Sequence, residues 1–129
     1  MAVLTEEQSM LRDAARTWTQ EKSPVTAFRK MRDSNAPLGY DPAAFAEMAE
    51  MGWTGVIIPE EFGGSDFGYL SLGLVLEETG RTLTASPLIA TALAAASALI
   101  LGGSAEIQNN IISKRILDLP DPLSSTQPQ

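Results

Sequence analysis

Between two stretches of helical periodicity lies Gly52-Trp-Thr-Gly-Val-Ile-Ile-Pro-Glu-Glu-Phe-Gly-Gly64, and no regular helix can run through it. Pro59 has no amide proton to give, and the neighbouring Gly63 and Gly64 are poor residues for a helix interior. The chain must therefore fold as helices packed on either side of an ordered non-helical segment, whose own apolar centre is Val56, Ile57 and Ile58. Irregular backbone gripped by helices is a place to expect a binding surface.

The flanking segments read as helix from their ends inward. Thr5 is a good N-cap, with Glu6 and Glu7 in the first turn and Gln8 at the capping-box position. Leu4, Leu11, Ala14, Ala15 and Trp18 then recur at helical spacing. Pro24 closes this helix or permits a short second piece through Phe28 and Met31. After a polar connection over residues 32–40, Asp41 can cap the next helix with Pro42 in its first position, and Gly52 can stop it. Phe45, Met48 and Ala49 give that helix an inward face.

Beyond the central segment, Ser65 or Asp66 can start a helix that runs to Gly80 or Arg81. Leu70, Leu74 and Glu77 lie on one track of it, and Leu72, Leu76 and Thr79 on another, so both sides are expected to touch protein. Glu77 and Glu78 read as a solvated pair or as salt-bridge partners, because adjacent helical carboxylates point in different directions and cannot flank one reacting group. Ser86 and Pro87 open a run over residues 88–101 with almost no polar face. Such a helix should be central, or covered by another domain or subunit, and its alanines allow close approach by a helix or a slender ligand. Gly102 and Gly103 stop it, and Ser104 can cap a further helix with Ile107, Ile111, Ile112 and Ile116 inward. The expectation is an all-α, bundle-like domain of four or five main helices over residues 1–118, followed by a disordered tail over 119–129 that carries three prolines.

Composition removes whole classes of chemistry. With neither cysteine nor histidine in 129 residues, thiol nucleophiles, disulfides, thiolate metal sites and the commonest general base are all excluded. A formal net charge of -7 opposes general nucleic-acid binding and adsorption to anionic membrane. No basic segment leads into an apolar one at the amino terminus, and the 88–101 run is too short to span a bilayer, so a cytoplasmic protein without membrane insertion is expected. No catalytic constellation can be assembled from what remains. The glycine pair lacks the spacing and preceding strand of a dinucleotide fingerprint.

The arrangement Gly52-x-x-Gly55-x-x-x-Pro59-Glu60-Glu61-Phe62-Gly63-Gly64, followed by Glu77-Glu78-Thr79-Gly80-Arg81, resembles the amino-terminal helical domain of the acyl-CoA dehydrogenase family. Leu11-Arg12-Asp13, Ser86-Pro87 and the Gly102-Gly103-Ser104-Ala105-Glu106-Ile107-Gln108 lead-in match in the same order, covering about residues 4–112. The resemblance implies an FAD enzyme that removes hydrogens from the alpha and beta carbons of an acyl-CoA thioester, works as a homo-oligomer and passes electrons to an electron-transfer flavoprotein. It sets Glu60, Gly63 and Gly64 beside the flavin and substrate, and Thr91, Ala94 and Ala95 along the acyl pocket wall. The family's catalytic glutamate and most of its flavin contacts belong to later domains. From Asn109 this sequence departs from the family pattern, so the expectation is an amino-terminal portion that is inactive and retains no FAD alone. The alternative is a non-catalytic helical module for protein binding or assembly.

Overall fold

The computed structural model describes residues 3–102. In order they form helices α1 (Glu6–Lys22), α2 (Val25–Asp33) and α3 (Pro42–Glu50), the 3-10 turns Trp53–Gly55 and Glu60–Phe62, helix α4 (Gly68–Arg81), a π-helical segment (Ile89–Ala95) and helix α5 (Ala96–Gly102). No strand occurs among the described residues, so the all-α expectation holds. The expected helix after Ser104 and the tail after residue 118 lie outside the described residues.

The helix starts show why these residues fold as they do. Thr5 accepts a hydrogen bond from the Gln8 amide at 3.1 Å while the Gln8 side chain accepts one from the Thr5 amide at 3.0 Å, a complete capping box. Asp41 accepts from the Ala43 amide at 3.0 Å with Pro42 in the first turn. Helix α4 departs from expectation. It begins at Gly68, two or three residues after the residues expected to cap it, and no side chain caps it. Asp66 instead takes a left-handed backbone conformation, φ 51°, and its amide is spent on the Ile58 carbonyl.

Helices α1 and α4 pack along one another, and the core lies between them and the irregular segment. Trp18 from α1 meets Trp53 edge-on, with ring centroids 5.3 Å apart, and its indole N–H donates to Glu47 of α3 at 2.8 Å. Met48, Ile58, Leu72, Val75 and Leu88 are among the other buried core residues. Across α1 and α4 runs one further link. Arg16 donates twice to Glu78, at 2.9 and 3.3 Å, and Arg81 approaches the same carboxylate at 3.5 Å. Glu78 is 2% exposed, so the salt-bridge reading holds for it and the solvated reading does not. Glu77 remains exposed and pairs with Arg81. Leu70, expected inward, is 54% exposed, because the inward side of α4 follows Ser71, Leu72, Val75 and Glu78.

Candidate functional site

The 52–64 segment divides into a buried half and an exposed half. Trp53, Thr54, Gly55, Val56, Ile57 and Ile58 are all buried, whereas Glu60, Glu61 and Gly63 face solvent. Its first half is therefore core, and the binding surface expected of the whole segment is confined to the turn after Pro59. What holds it is a return strand of chain. The amides of Ser65, Asp66 and Phe67 donate to the carbonyls of Gly55, Ile58 and Val56 at 3.0, 3.0 and 2.8 Å, closing residues 55–67 into an Ω-like loop. Buried irregular backbone needs such partners, since an unpaired amide or carbonyl away from water is costly.

Each glycine of the pair has a distinct reason. Gly63 ends the turn in the left-handed region at φ 92°, where a side chain is disfavoured. Gly64 is needed for space. A Cβ there would fall 2.6 Å from the Ile58 carbonyl carbon, and still nearer its oxygen. Both amides are already used, Gly63 donating to Glu60 at 2.9 Å and Gly64 to Pro59 at 3.2 Å. The loop thus has no spare glycine amide to offer a cofactor, and its two exposed carboxylates, Glu60 and Glu61, are the wrong sign for a phosphate. In this region the residues present do not fit a pyrophosphate cradle.

The apolar helix meets this loop at its buried end, where the Trp53–Gly55 turn packs against the Ile89–Ala95 segment. That segment is π-helical: the Ala96 amide reaches the Thr91 carbonyl five residues back, and also that of Leu93. Ala92 and Ala96 are buried, Thr91 is half-buried, and Ala94 and Ala95 are exposed. Ile89 and Leu101 are 60% and 84% exposed. The helix without a polar face therefore has an open face among the described residues, rather than a central position. Thr91, Ala94 and Ala95 do share one short segment, and the loop's buried start contacts it; the exposed turn with Glu60 and Gly63 belongs to the other end of the loop. Four clefts among the described residues are lined by other residues. One buried polar atom in the contacting turn, the Thr54 hydroxyl, makes no hydrogen bond. Sequence reasoning passed over it, because a threonine between Trp53 and Gly55 carries no signal of its burial.

The family model for the acyl-CoA dehydrogenase N-terminal domain matches residues 5–116. The chain belongs to the acyl-CoA dehydrogenase family. Acyl-CoA dehydrogenase IpdE2 of Mycolicibacterium smegmatis is 34% identical over 100 residues, covering 77% of this chain and 32% of the relative. A (2S)-methylsuccinyl-CoA dehydrogenase of Cereibacter sphaeroides is 36% identical over 106 residues, covering 81% and 19%. An acryloyl-CoA reductase (NADH) of Anaerotignum propionicum is 37% identical over 83 residues, covering 64% and 20%. The chain spans a third or less of the length of these curated relatives. No solved structure matches it significantly. No described helix is long and apolar enough to cross a membrane.

Proposed function

We propose that this chain supplies the amino-terminal helical wall of an FAD-dependent acyl-CoA dehydrogenase, an enzyme of alpha,beta-dehydrogenation of an acyl-CoA thioester. The observation that carries the reading is the open, uncharged face of the π-helical segment, in contact with the loop that bears the Pro59-Glu60-x-x-Gly63-Gly64 pattern. Ala94 and Ala95 are small and exposed, so an extended acyl chain can lie along them without displacing core, and Thr91 stands half-buried on the same segment. Glu60, Gly63 and Gly64 act as neighbours of the flavin and substrate through shape, since the glycine amides are engaged within the loop. FAD, when bound by the later domains, supplies the hydride acceptor; this chain's residues bind, shape and exclude water. A homo-oligomer, electron-transfer flavoprotein as electron acceptor and a cytoplasmic setting follow from the same reading.

The test is a chimaera in which residues 5–102 replace the corresponding part of the Mycolicibacterium smegmatis relative. It is expected to retain flavin and to reduce an artificial electron acceptor with an acyl-CoA, while this chain alone, given excess FAD and desalted, retains none. Bulk at the proposed wall, as in Ala94→Leu, should raise KM for long acyl chains more than for short ones. A chimaera that holds flavin and shows native circular dichroism, yet turns over no acyl-CoA, overturns the reading. It would favour the second one, a non-catalytic assembly module that uses the exposed Ile89 and Leu101 face.

A further inference from the structure

Of residues 88–101, only Thr91 and Ser97 carry a polar side chain, so each polar group on this apolar run needs a reason. A serine within a helix ordinarily satisfies itself by donating to a carbonyl one turn back. The buried helical hydroxyls of Thr19, Ser71 and Thr79 do so, at 3.0, 2.9 and 2.9 Å. Ser97 does not. Its Oγ lies 2.9 Å from the hydroxyl of Tyr69 in the first turn of α4, a hydrogen bond between two helices.

Each hydroxyl has one hydrogen to donate and lone pairs with which to accept. A bond between two of them uses one hydrogen, and the other has no acceptor among the described residues. Tyr69 is 55% exposed and Ser97 is half-buried, so the remaining O–H can be reached from outside. The exposed side chains near it in sequence are apolar: Leu70 after Tyr69, and Ala98 and Leu101 after Ser97. Ser97 also follows Ala94 by three residues on one unbroken run of helix, and residues so spaced are neighbours on a helix surface. The pair therefore stands within a turn of the wall proposed for the acyl chain.

A few placed polar groups on an apolar wall are what orient a ligand and select among ligands. We infer that the Tyr69–Ser97 pair is a specificity-determining site for the acyl group, its free O–H donating to an uncharged acceptor oxygen, such as an oxo group, carried on the chain away from the thioester. This rests on the wall reading given above and names the substrate class that the wall prefers. An oxo group suits the pair better than a carboxylate. The net charge of -7 opposes a further anion, and the cation of α4, Arg81, is at the other end of that helix, about 18 Å away at 1.5 Å per residue. Tying α4 to α5 needs only the shared hydrogen, so a purely structural pair would treat all acyl groups alike.

The test uses the chimaera that carries residues 5–102. Its substrates are octanoyl-CoA, three octanoyl-CoAs with one oxo group on the fifth, sixth or seventh carbon, and octanedioyl-CoA, which ends in a carboxylate. At least one oxo ester is expected to exceed octanoyl-CoA in kcat/KM. In Tyr69→Phe and in Ser97→Ala that preference should fall by about three- to tenfold. The loss should appear as a higher KM for the oxo ester, with kcat and the KM of octanoyl-CoA unchanged. Ser97→Thr keeps the hydroxyl and should keep the preference, and circular dichroism checks that each variant is folded. The inference is overturned if no oxo ester is preferred, if both variants keep the preference, if octanoyl-CoA suffers the same loss, or if octanedioyl-CoA is preferred over every oxo ester. Each of those results leaves the wall reading standing, because the chimaera turns over. No turnover of any ester overturns both.

Discussion

Replacing Gly64 by alanine asks whether the Ω-like loop is held together by one close backbone approach. The added Cβ would sit 2.6 Å from the Ile58 carbonyl carbon and nearer still to its oxygen, against an ordinary contact of 3.4 Å or more, so the two sides of the loop must part by about an ångström or more. Neither can yield cheaply. Ile58 is fully buried, and its carbonyl accepts from Asp66 at 3.0 Å, while Gly64 donates to Pro59 at 3.2 Å. Losing those two hydrogen bonds costs about 1 kcal/mol each, and displacing Ile58 within the core adds roughly 1–3 kcal/mol, giving roughly 3–5 kcal/mol in all. At about 4 °C per kcal/mol, the Tm falls by roughly 12–20 °C. Thermal denaturation followed by the fluorescence of the Trp18–Trp53 pair measures it, and Gly73→Ala is the control. Gly73 is in the middle of α4 with nothing within 4 Å of an added methyl, so alanine there should stabilise by about 0.5–1 kcal/mol. A Gly64→Ala protein that melts within 3 °C or so of the parent would refute the close-approach reasoning.

Thr54→Val removes a buried hydroxyl that has no partner, so it should leave the Tm unchanged or raise it; a fall of several degrees would mean that the hydroxyl is bonded in solution. Leu83 occupies the left-handed position of a Schellman motif, φ 54°, with its own amide donating to Gly80 and that of Thr84 to Thr79. It is 53% exposed, so Leu83→Gly should stabilise the protein by about 1 kcal/mol, read as a higher urea midpoint. Glu78→Gln should lower the Tm more than Glu77→Gln, because Glu78 is buried between Arg16 and Arg81 while Glu77 is exposed. The hydrogen bonds and charge of Glu78 raise the Arg16 pKa above its ordinary value, so that cation's share of stability is complete below the ordinary value and is lost only above it. An alkaline melt series that stops short of arginine titration should therefore show no loosening that Glu78→Gln abolishes. With Ile89 and Leu101 largely exposed, sedimentation velocity should show weak self-association that salt strengthens by screening the net charge of -7.

The parts legible in the sequence were those written by near neighbours. Thr5 with Gln8, Asp41 with Pro42, and Pro24 between α1 and α2 each act within four residues, and each stands where expected. The misreadings came from distant partners. Ser65 and Asp66 look like caps, yet their amides belong to Gly55 and Ile58 across the loop, which pushes the start of α4 to Gly68. Glu78 reads either as solvated beside Glu77 or as a salt-bridge partner, and only Arg16, 62 residues earlier, decides for the salt bridge. At the candidate site, the pattern marked the loop and the segment with Thr91, Ala94 and Ala95, but nothing in an alanine-rich run distinguishes a π turn from an α turn. The burial of Thr54 was equally hidden.

That π-helical segment partly frees the phase of the helix from its length. A π turn holds one residue more than an α turn, and each residue of a helix advances about 100°, so everything after Ala95 is rotated by that step relative to an unbroken helix. Ala94, Ala95 and Ala96 are identical, so losing any one of them leaves the same sequence. A single-codon deletion in this triplet would remove the extra residue and let the segment relax to α geometry; the two steps cancel, so Ala98, Ile100 and Leu101 would keep their bearings. In this helix, the π turn is where a change in repeat count can be absorbed without turning the surface that faces outward.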